Sequence, residues 1–198
     1  MKWKVLPKRS DNLVEQLLKN RGIKAEDKEA FFNPKISDFE KELKIPGIEK
    51  ALKRINEAIK KRELIIIFGD YDVDGICASA ILYKGLVSLG AKVLPYIPHR
   101  EKEGYGLSKL GLEFAGDSGA TVVITVDNGI VAYDPAKYAK DLGLDLIITD
   151  HHMPLKKLPE AYEIVHSIKM CGAAVAWCLI KDAIDKDLTK ELLQFVCL

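Results

Sequence analysis

Two hydrophobic periods alternate along the chain. Ile48, Ala51, Leu52, Ile55, Ala58 and Ile59 recur at helical spacing, the mark of an amphipathic helix. Leu64–Phe68 is then a short unbroken apolar run, which reads as a buried strand. The spacing next predicts a helix over Ile76–Leu89, ended by Gly90, and a strand over Lys92–Ile97. A short helix over Lys109–Ala115 and a strand over Thr121–Val126 follow, then a helix over Asp134–Leu142, ended by Gly143, and a strand over Asp145–Thr149. Glu163–His166 reads as one more strand and Ala173–Ile184 as an apolar helix, while Lys190–Leu198 begins another helix. Strands separated by helical segments imply right-handed βαβ crossovers. The expected fold is therefore α/β, a mostly parallel sheet flanked by helices.

The first 45 residues follow a different pattern. Leu13, Val14, Leu17 and Leu18 place a helix over Asn12–Asn20, with Gly22 as its stop,. Ala25–Phe32 reads as a second short helix, ended by Asn33-Pro34 because proline disfavours helix in the residue before it,. The expectation is a small N-terminal helical extension over residues 1–45 and a core over 46–198.

Composition narrows the class. Hydrophobic content of 48% over 198 residues supports a real core, and a net charge of +1 gives no global basic signature of a nucleic-acid binder,. A local basic surface remains open, and Lys50, Lys53, Arg54, Lys60, Lys61 and Arg62 on the first core helix read either as such a surface or as a solvated face. The four cysteines, Cys77, Cys171, Cys178 and Cys197, form no CxxC pair. They read as small buried hydrophobes suited to a reducing cytosol. The N-terminal run from Met1 to Arg9 has no apolar signal region, and no segment reaches membrane-spanning length,.

Candidate chemistry sits at the strand ends. In an open parallel sheet, ligands bind beyond the carboxyl ends of the strands. The first strand runs into Gly69-Asp70-Tyr71-Asp72-Val73-Asp74-Gly75, the third into Asp127-Asn128-Gly129, and the fourth into Asp150-His151-His152. One acidic turn has a bland reading, with Asp74 capping the next helix. Aspartates at three equivalent strand ends do not. Clustered carboxylates repel one another, and a divalent cation is their usual partner. Imidazoles beside them suit Mn²⁺, Fe²⁺ or Zn²⁺ better than Mg²⁺ alone. Asp150 reads either as a ligand or as the group that orients a histidine. Adjacent histidines on a regular strand point opposite ways, so a turn is needed for His151 and His152 to reach one ion. At the second strand's end, His99 and Arg100 are cationic candidates for a phosphate, with the loop through Glu103 read alternatively as plain surface. Asn128-Gly129 reads as a simple turn.

On these residues the chain resembles the DHH phosphoesterase superfamily, and within it the single-strand-specific exonucleases of RecJ type. The matching segments are Gly69–Gly75, Ile97–Leu107, Val126–Ile130 and Thr149–Pro154, with Phe32–Pro34 and Ile45–Ile48 upstream and Cys171–Ala176 downstream. The resemblance implies a metal-dependent phosphodiesterase acting on single-stranded DNA from 5′ to 3′ in DNA repair or recombination. It implies a cytoplasmic location and two divalent ions, Mn²⁺ or alternatively Mg²⁺. Asp72, Asp74, Asp127, His151 and His152 become the expected metal ligands and catalytic residues. Asp70 and Asp150 join them as ligands or as groups holding ligands in place, and His99, Arg100 and Tyr105 become substrate-binding candidates. Short RNA oligomers or cyclic dinucleotides are the alternative substrates, and a non-catalytic nucleic-acid-binding or scaffold role is a third reading. Family members continue into a further aspartate motif and a closing domain, so the chain reads as an N-terminal piece, weakly active or inactive alone. His166, where the family carries an Asn-Pro, reads as structural.

Overall fold

Asn12 caps the first helix, α1 (Leu13–Asn20), its side chain accepting from Glu15 N–H at 3.1 Å. Gly22, with φ near +73°, turns the chain out of that helix, and Ile23 N–H closes it onto Leu18 O,. A second helix, α2 (Lys28–Phe32), is tied back by a Lys28–Glu15 ion pair. The computed structural model describes residues 4–35, 37 and 42–197, and the chain divides into units at residues 1–43 and 44–198. Met1–Trp3 of the N-terminal run and Leu198 of the expected last helix lie outside the described residues.

The second unit is built on a five-stranded sheet: β1 (Leu64–Phe68), β2 (Lys92–Tyr96), β3 (Ala120–Val126), β4 (Asp145–Asp150) and β5 (Glu163–His166). The strand order is β2-β1-β3-β4-β5 and every pairing is parallel. Successive side chains of a strand point to opposite faces. Ile66, Phe68, Val123, Leu146 and Ile148 therefore face one side, where Leu112 and Ala115 of α6 (Lys109–Asp117) and Ala136 and Ala139 of α7 (Tyr133–Asp141) cover them. Ile65, Ile67, Ile124 and Ile147 are fully buried on the other side. There α3 (Ile48–Lys61), α4 (Val73–Ser88) and α8 (Gly172–Ile180) pack. Each such isoleucine contributes roughly 1.5–3 kcal/mol relative to exposure.

Several elements depart from the sequence reading. α4 begins at Val73, because Asp72 caps it and accepts from Gly75 N–H at 3.0 Å; the cap is Asp72, not Asp74. The segment after β2 holds one helical turn, α5 (Arg100–Glu103), where a loop is the expected alternative. α8 stops at Ile180, and Asp185 caps α9 (Lys186–Leu193), which runs into a 3₁₀ turn over Gln194–Cys197.

The basic face of α3 is smaller than its sequence suggests. Arg54 is buried, donating from Nε to Asp145 at 2.5 Å and pairing through Nη2 with Glu63 at 2.7 Å. Lys50 is bound to Tyr162 O and Glu163. No helix among the described residues is long and apolar enough to cross a membrane.

Strand order reverses between β1 and β3: the chain leaves β1 for β2 on one side and returns to place β3 on the other. In doubly wound sheets the crevice at that switch, beyond the carboxyl ends, is where ligands sit. The acidic segments after β1 and β3 meet there.

Candidate metal centre

Asp70, the first residue of the acidic run, is fully buried. Its Oδ1 accepts from Tyr71 N–H at 2.7 Å, while Oδ2 is buried without a hydrogen bond among the described residues. Asp74 lies in the first turn of α4 and faces a different helix. Its carboxylate oxygens accept from Gly172 N–H and Ala173 N–H, each at 2.7 Å. Close packing makes this possible. A Cβ on Gly172 would lie 2.4 Å from Asp127 Oδ1, and one on Gly75 the same distance from Asp70 Cβ.

Asp127 ends β3 in a left-handed conformation, φ 61°, and is 2% exposed. An aspartate tolerates that region better than a branched residue does. Its Oδ1 is buried without a hydrogen bond among the described residues, although His151 Nε2 stands 3.1 Å away. A carboxylate oxygen and a ring nitrogen that close, with no hydrogen bond between them, are placed to share a cation.

A turn after β4 brings the two histidines to one place. Asp150 Oδ1 accepts from His151 N–H at 2.7 Å and His152 N–H at 3.1 Å, and lies 2.8 Å from His152 Nδ1. Its Oδ2 accepts from Ile130 N–H at 2.9 Å. With both oxygens engaged by the protein, Asp150 acts as the anchor of the histidine turn. The histidine rings are 4.6 Å apart. His152 Nε2 meets Tyr105 Oη at 3.2 Å, and His166 Nε2 holds the His152 carbonyl at 2.7 Å.

Potential ligand atoms of Asp127, His151 and His152 lie within 4.8 Å of one another, as do those of Asp70, Asp72 and Asp127. Asp127 belongs to both groups. Burial pushes its carboxyl up to about 8, and the nearby charges of Asp74, Asp72, Asp150 and Asp70 add to this,. Burial likewise raises Asp70, against the hydrogen bond from Tyr71. Burial and the surrounding carboxylates raise the Tyr105 hydroxyl, keeping it protonated. Negative charge is thus concentrated at a buried point with orphaned oxygens, and a bound divalent cation removes that cost. The residues present fit such a group.

The substrate-binding candidates are less uniform. His99 Nδ1 accepts from Glu101 N–H at 3.3 Å, capping α5. Arg100 is exposed and its guanidinium lies 5.3 Å from the centre of the Tyr71 ring. Tyr71 meets Tyr105 edge to face at 6.4 Å. Tyr105 is 55% exposed while its hydroxyl reaches Asp127 O at 3.4 Å. Cationic and aromatic surface therefore borders the carboxylates.

Sequence reading gave Glu103, Asn128 and Gly172 no role of their own at the site. Glu103 accepts from Tyr96 Oη, His99 N–H and Ser108 Oγ at 2.7–2.8 Å, fixing the loop that carries Arg100 and Tyr105. Asn128 is 1% exposed, and its Nδ2 donates to backbone carbonyls of both β1 and β3. The available signal was weak: a glutamate among charges, and Asn-Gly, which usually marks a turn.

Residues 64–198 match the family model described as DHH family, N-terminal domain. The single-stranded-DNA-specific exonuclease RecJ of Bacillus subtilis is 44% identical over 155 residues, covering 78% of this chain and 20% of that protein. The chain thus spans about a fifth of that curated relative's length. A crystal structure of exonuclease RecJ bound to manganese is similar at TM-score 0.64 and 34% identity, over 75% of this chain and 38% of that one. The structure of RecJ in complex with Mn²⁺ from Thermus thermophilus is similar at TM-score 0.63 and 28% identity, over 89% of this chain and 24% of that one.

Proposed function

The chain belongs to the DHH family, and from that premise we propose that it carries the metal-dependent core of a phosphodiesterase that removes nucleotides from single-stranded DNA, 5′ to 3′, in DNA repair or recombination. The observation that supports this most directly is the pair of orphaned buried carboxylate oxygens, Asp70 Oδ2 and Asp127 Oδ1, at the switch between β1 and β3.

Asp72, Asp74, Asp127, His151 and His152 are the proposed holders of two divalent ions, Mn²⁺ or Mg²⁺, with Asp70 beside them and Asp150 anchoring the histidine turn. Bound there, such ions supply a lowered pKa for water and charge stabilisation on the phosphoryl oxygens. The chain's own residues do the rest. Asp150 holds His152 by Nδ1 and so directs its Nε2 toward the site,. Arg100 is placed to take a phosphate, and the Tyr71–Tyr105 pair presents ring surface on which an unpaired base stacks,. That aromatic border favours a single strand with exposed bases. Four free cysteines fit a reducing cytosol,.

The test is Mn²⁺-dependent release of mononucleotides from single-stranded DNA by the full-length protein carrying Asp72→Ala or Asp127→Ala. Loss in both is expected, and retained release in both overturns the assignment. Comparing 5′- with 3′-labelled strands reads the direction. Rates on dinucleotides or cyclic dinucleotides that exceed those on long strands move the substrate to short oligomers. A titration showing no Mn²⁺ binding moves the chain to a non-catalytic role.

A further inference from the structure

We propose that Asn128 is a positioning residue for the metal centre, setting the separation between the carboxylates after β1 and Asp127 after β3; this rests on the metal-dependent reading above. The backbone shows why such a residue is needed. β1 and β3 pair as far as Phe68 and Thr125. Beyond that point the next backbone N–H on each side goes to the outer neighbour. Gly69 N–H donates to Tyr96 O, on β2, at 2.9 Å, and Asp127 N–H donates to Thr149 O, on β4, at 3.0 Å. The β1–β3 ladder therefore ends where the strand order reverses.

Asn128 stands at the end of that ladder. Its Nδ2 donates to Val126 O at 2.9 Å and to Phe68 O and Gly69 O at 3.3 Å each. An amide nitrogen carries two N–H groups, so three carbonyls share them. Those carbonyls also settle which end of the amide faces them, since an oxygen there would meet only acceptors. Thr125 Oγ1 donates to Asn128 O at 2.7 Å and holds its backbone. The clasp lies one residue from a carboxylate on each wall: Asp70 follows Gly69, and Asp127 precedes Asn128.

Packing alone does not account for the choice of residue. Asn128 is 1% exposed, and its Oδ1 is buried without a hydrogen bond among the described residues. Such an atom carries a desolvation cost that an apolar side chain would not. What the amide provides is a crosslink between β1 and β3 past the end of their ladder, at the place where ligand atoms from both must converge on one ion.

The experiment measures Mn²⁺ affinity by calorimetry, and metal-free melting temperature, for Asn128→Ala, Asn128→Ser and Thr149→Val. Thr149 donates to Thr125 O at 2.7 Å in an equally buried setting, so its valine variant loses a structural hydrogen bond alone. Both Asn128 variants are expected to bind Mn²⁺ at least tenfold more weakly, while Thr149→Val melts lower and binds within twofold of the parent chain. Asn128 variants that melt lower yet bind within twofold overturn the proposal. Asp127→Asn separates the premise from the proposal, because unchanged Mn²⁺ binding there removes the metal reading itself. Should both Asn128 variants fail to fold, the parent chain decides: its Asn128 side-chain amide protons exchange more slowly in saturating Mg²⁺, and unchanged exchange overturns the assignment.

Discussion

Asp74 on α4 closes the N-terminus of α8, its Oδ2 accepting from Gly172 N–H at 2.7 Å. Oδ1 takes Ala173 N–H at the same distance, and Cys171, at the cap position, makes no side-chain cap bond of its own. A helix N-terminus carries unpaired donors and partial positive charge. Asp74 therefore serves packing and chemistry together. Replacing it with alanine is expected to cost about 1–2 kcal/mol of metal-free stability, as lost caps do. Asp74→Asn keeps one acceptor and is expected to lose less. Urea unfolding without metal reads both, and equal losses would remove the cap from the account.

Much of this was legible in the residues. Five strands and their order along the chain follow from apolar runs broken by helical spacing, and the strand-end aspartates stand out because no core needs them. What the sequence could not carry was contact between distant segments. Asp74 meets Gly172 across 98 positions, and neither residue type signals it. Arg54 looked like part of a solvated basic face, yet it pairs with Asp145 across 91 positions. Asn128-Gly129 has the composition of a turn, and the bonds of Asn128 to Phe68, Gly69 and Val126 carbonyls appear only in the folded sheet. The bonds of Asp150 to Ile130, His151 and His152 N–H depend on a turn that its strand-end position does not reveal.

Metal-free stability is expected to fall as pH rises from about 5 to about 8. Asp127 has its carboxyl pushed from 3.8 up to about 8 by burial and its acidic neighbours. Between those values the folded chain holds a proton that the unfolded chain has released, so raising the pH favours unfolding. Asp70, raised in the same direction, adds to the slope. Melting curves in chelator check this. The Asp127→Asn chain should show a shallower decline, and a parent chain with a flat profile would contradict the account.

Supplying the cation should reverse that trend. At a Mn²⁺ concentration one hundred times Kd, linkage gives about 2.7 kcal/mol of added stability. The gain should grow with pH, since protons and cation compete for Asp127. Melting temperatures with Mn²⁺ and with chelator at pH 6 and 8 read it. Asp127→Asn should lose most of the gain while keeping its metal-free stability at pH 6, because the neutral amide stands in for the protonated carboxyl that the metal-free fold holds there. Full Mn²⁺ stabilisation of that variant would exclude Asp127 as a ligand.

Gly172→Ala tests the closeness of the α8 turn to the site. The added Cβ would stand 2.4 Å from Asp127 Oδ1 and 2.7 Å from its Cβ and Cγ, so one side must move. Overpacking of this kind costs about 1–3 kcal/mol. The displaced atom is the orphaned oxygen, so Mn²⁺ affinity should fall together with stability.

Asp150→Ala should be the more damaging change at the histidine turn. It strips acceptors from Ile130 N–H, His151 N–H, His152 N–H and His152 Nδ1 in a residue 1% exposed. Donors left buried and unpaired cost about 1–3 kcal/mol each where they stay dry. Loss of a group that orients a metal-binding histidine typically weakens metal affinity about 10–100-fold. Asp150→Asn separates the effects, because its single oxygen can serve one side only. If that oxygen stays with His151 N–H and His152 N–H, only Ile130 N–H is left without its acceptor, so stability falls less than in Asp150→Ala while the imidazole loses its charged partner,. The expected asparagine variant is therefore folded, with Mn²⁺ affinity reduced. An asparagine variant binding Mn²⁺ as the parent chain does would show that the carboxylate serves the turn and not the histidine.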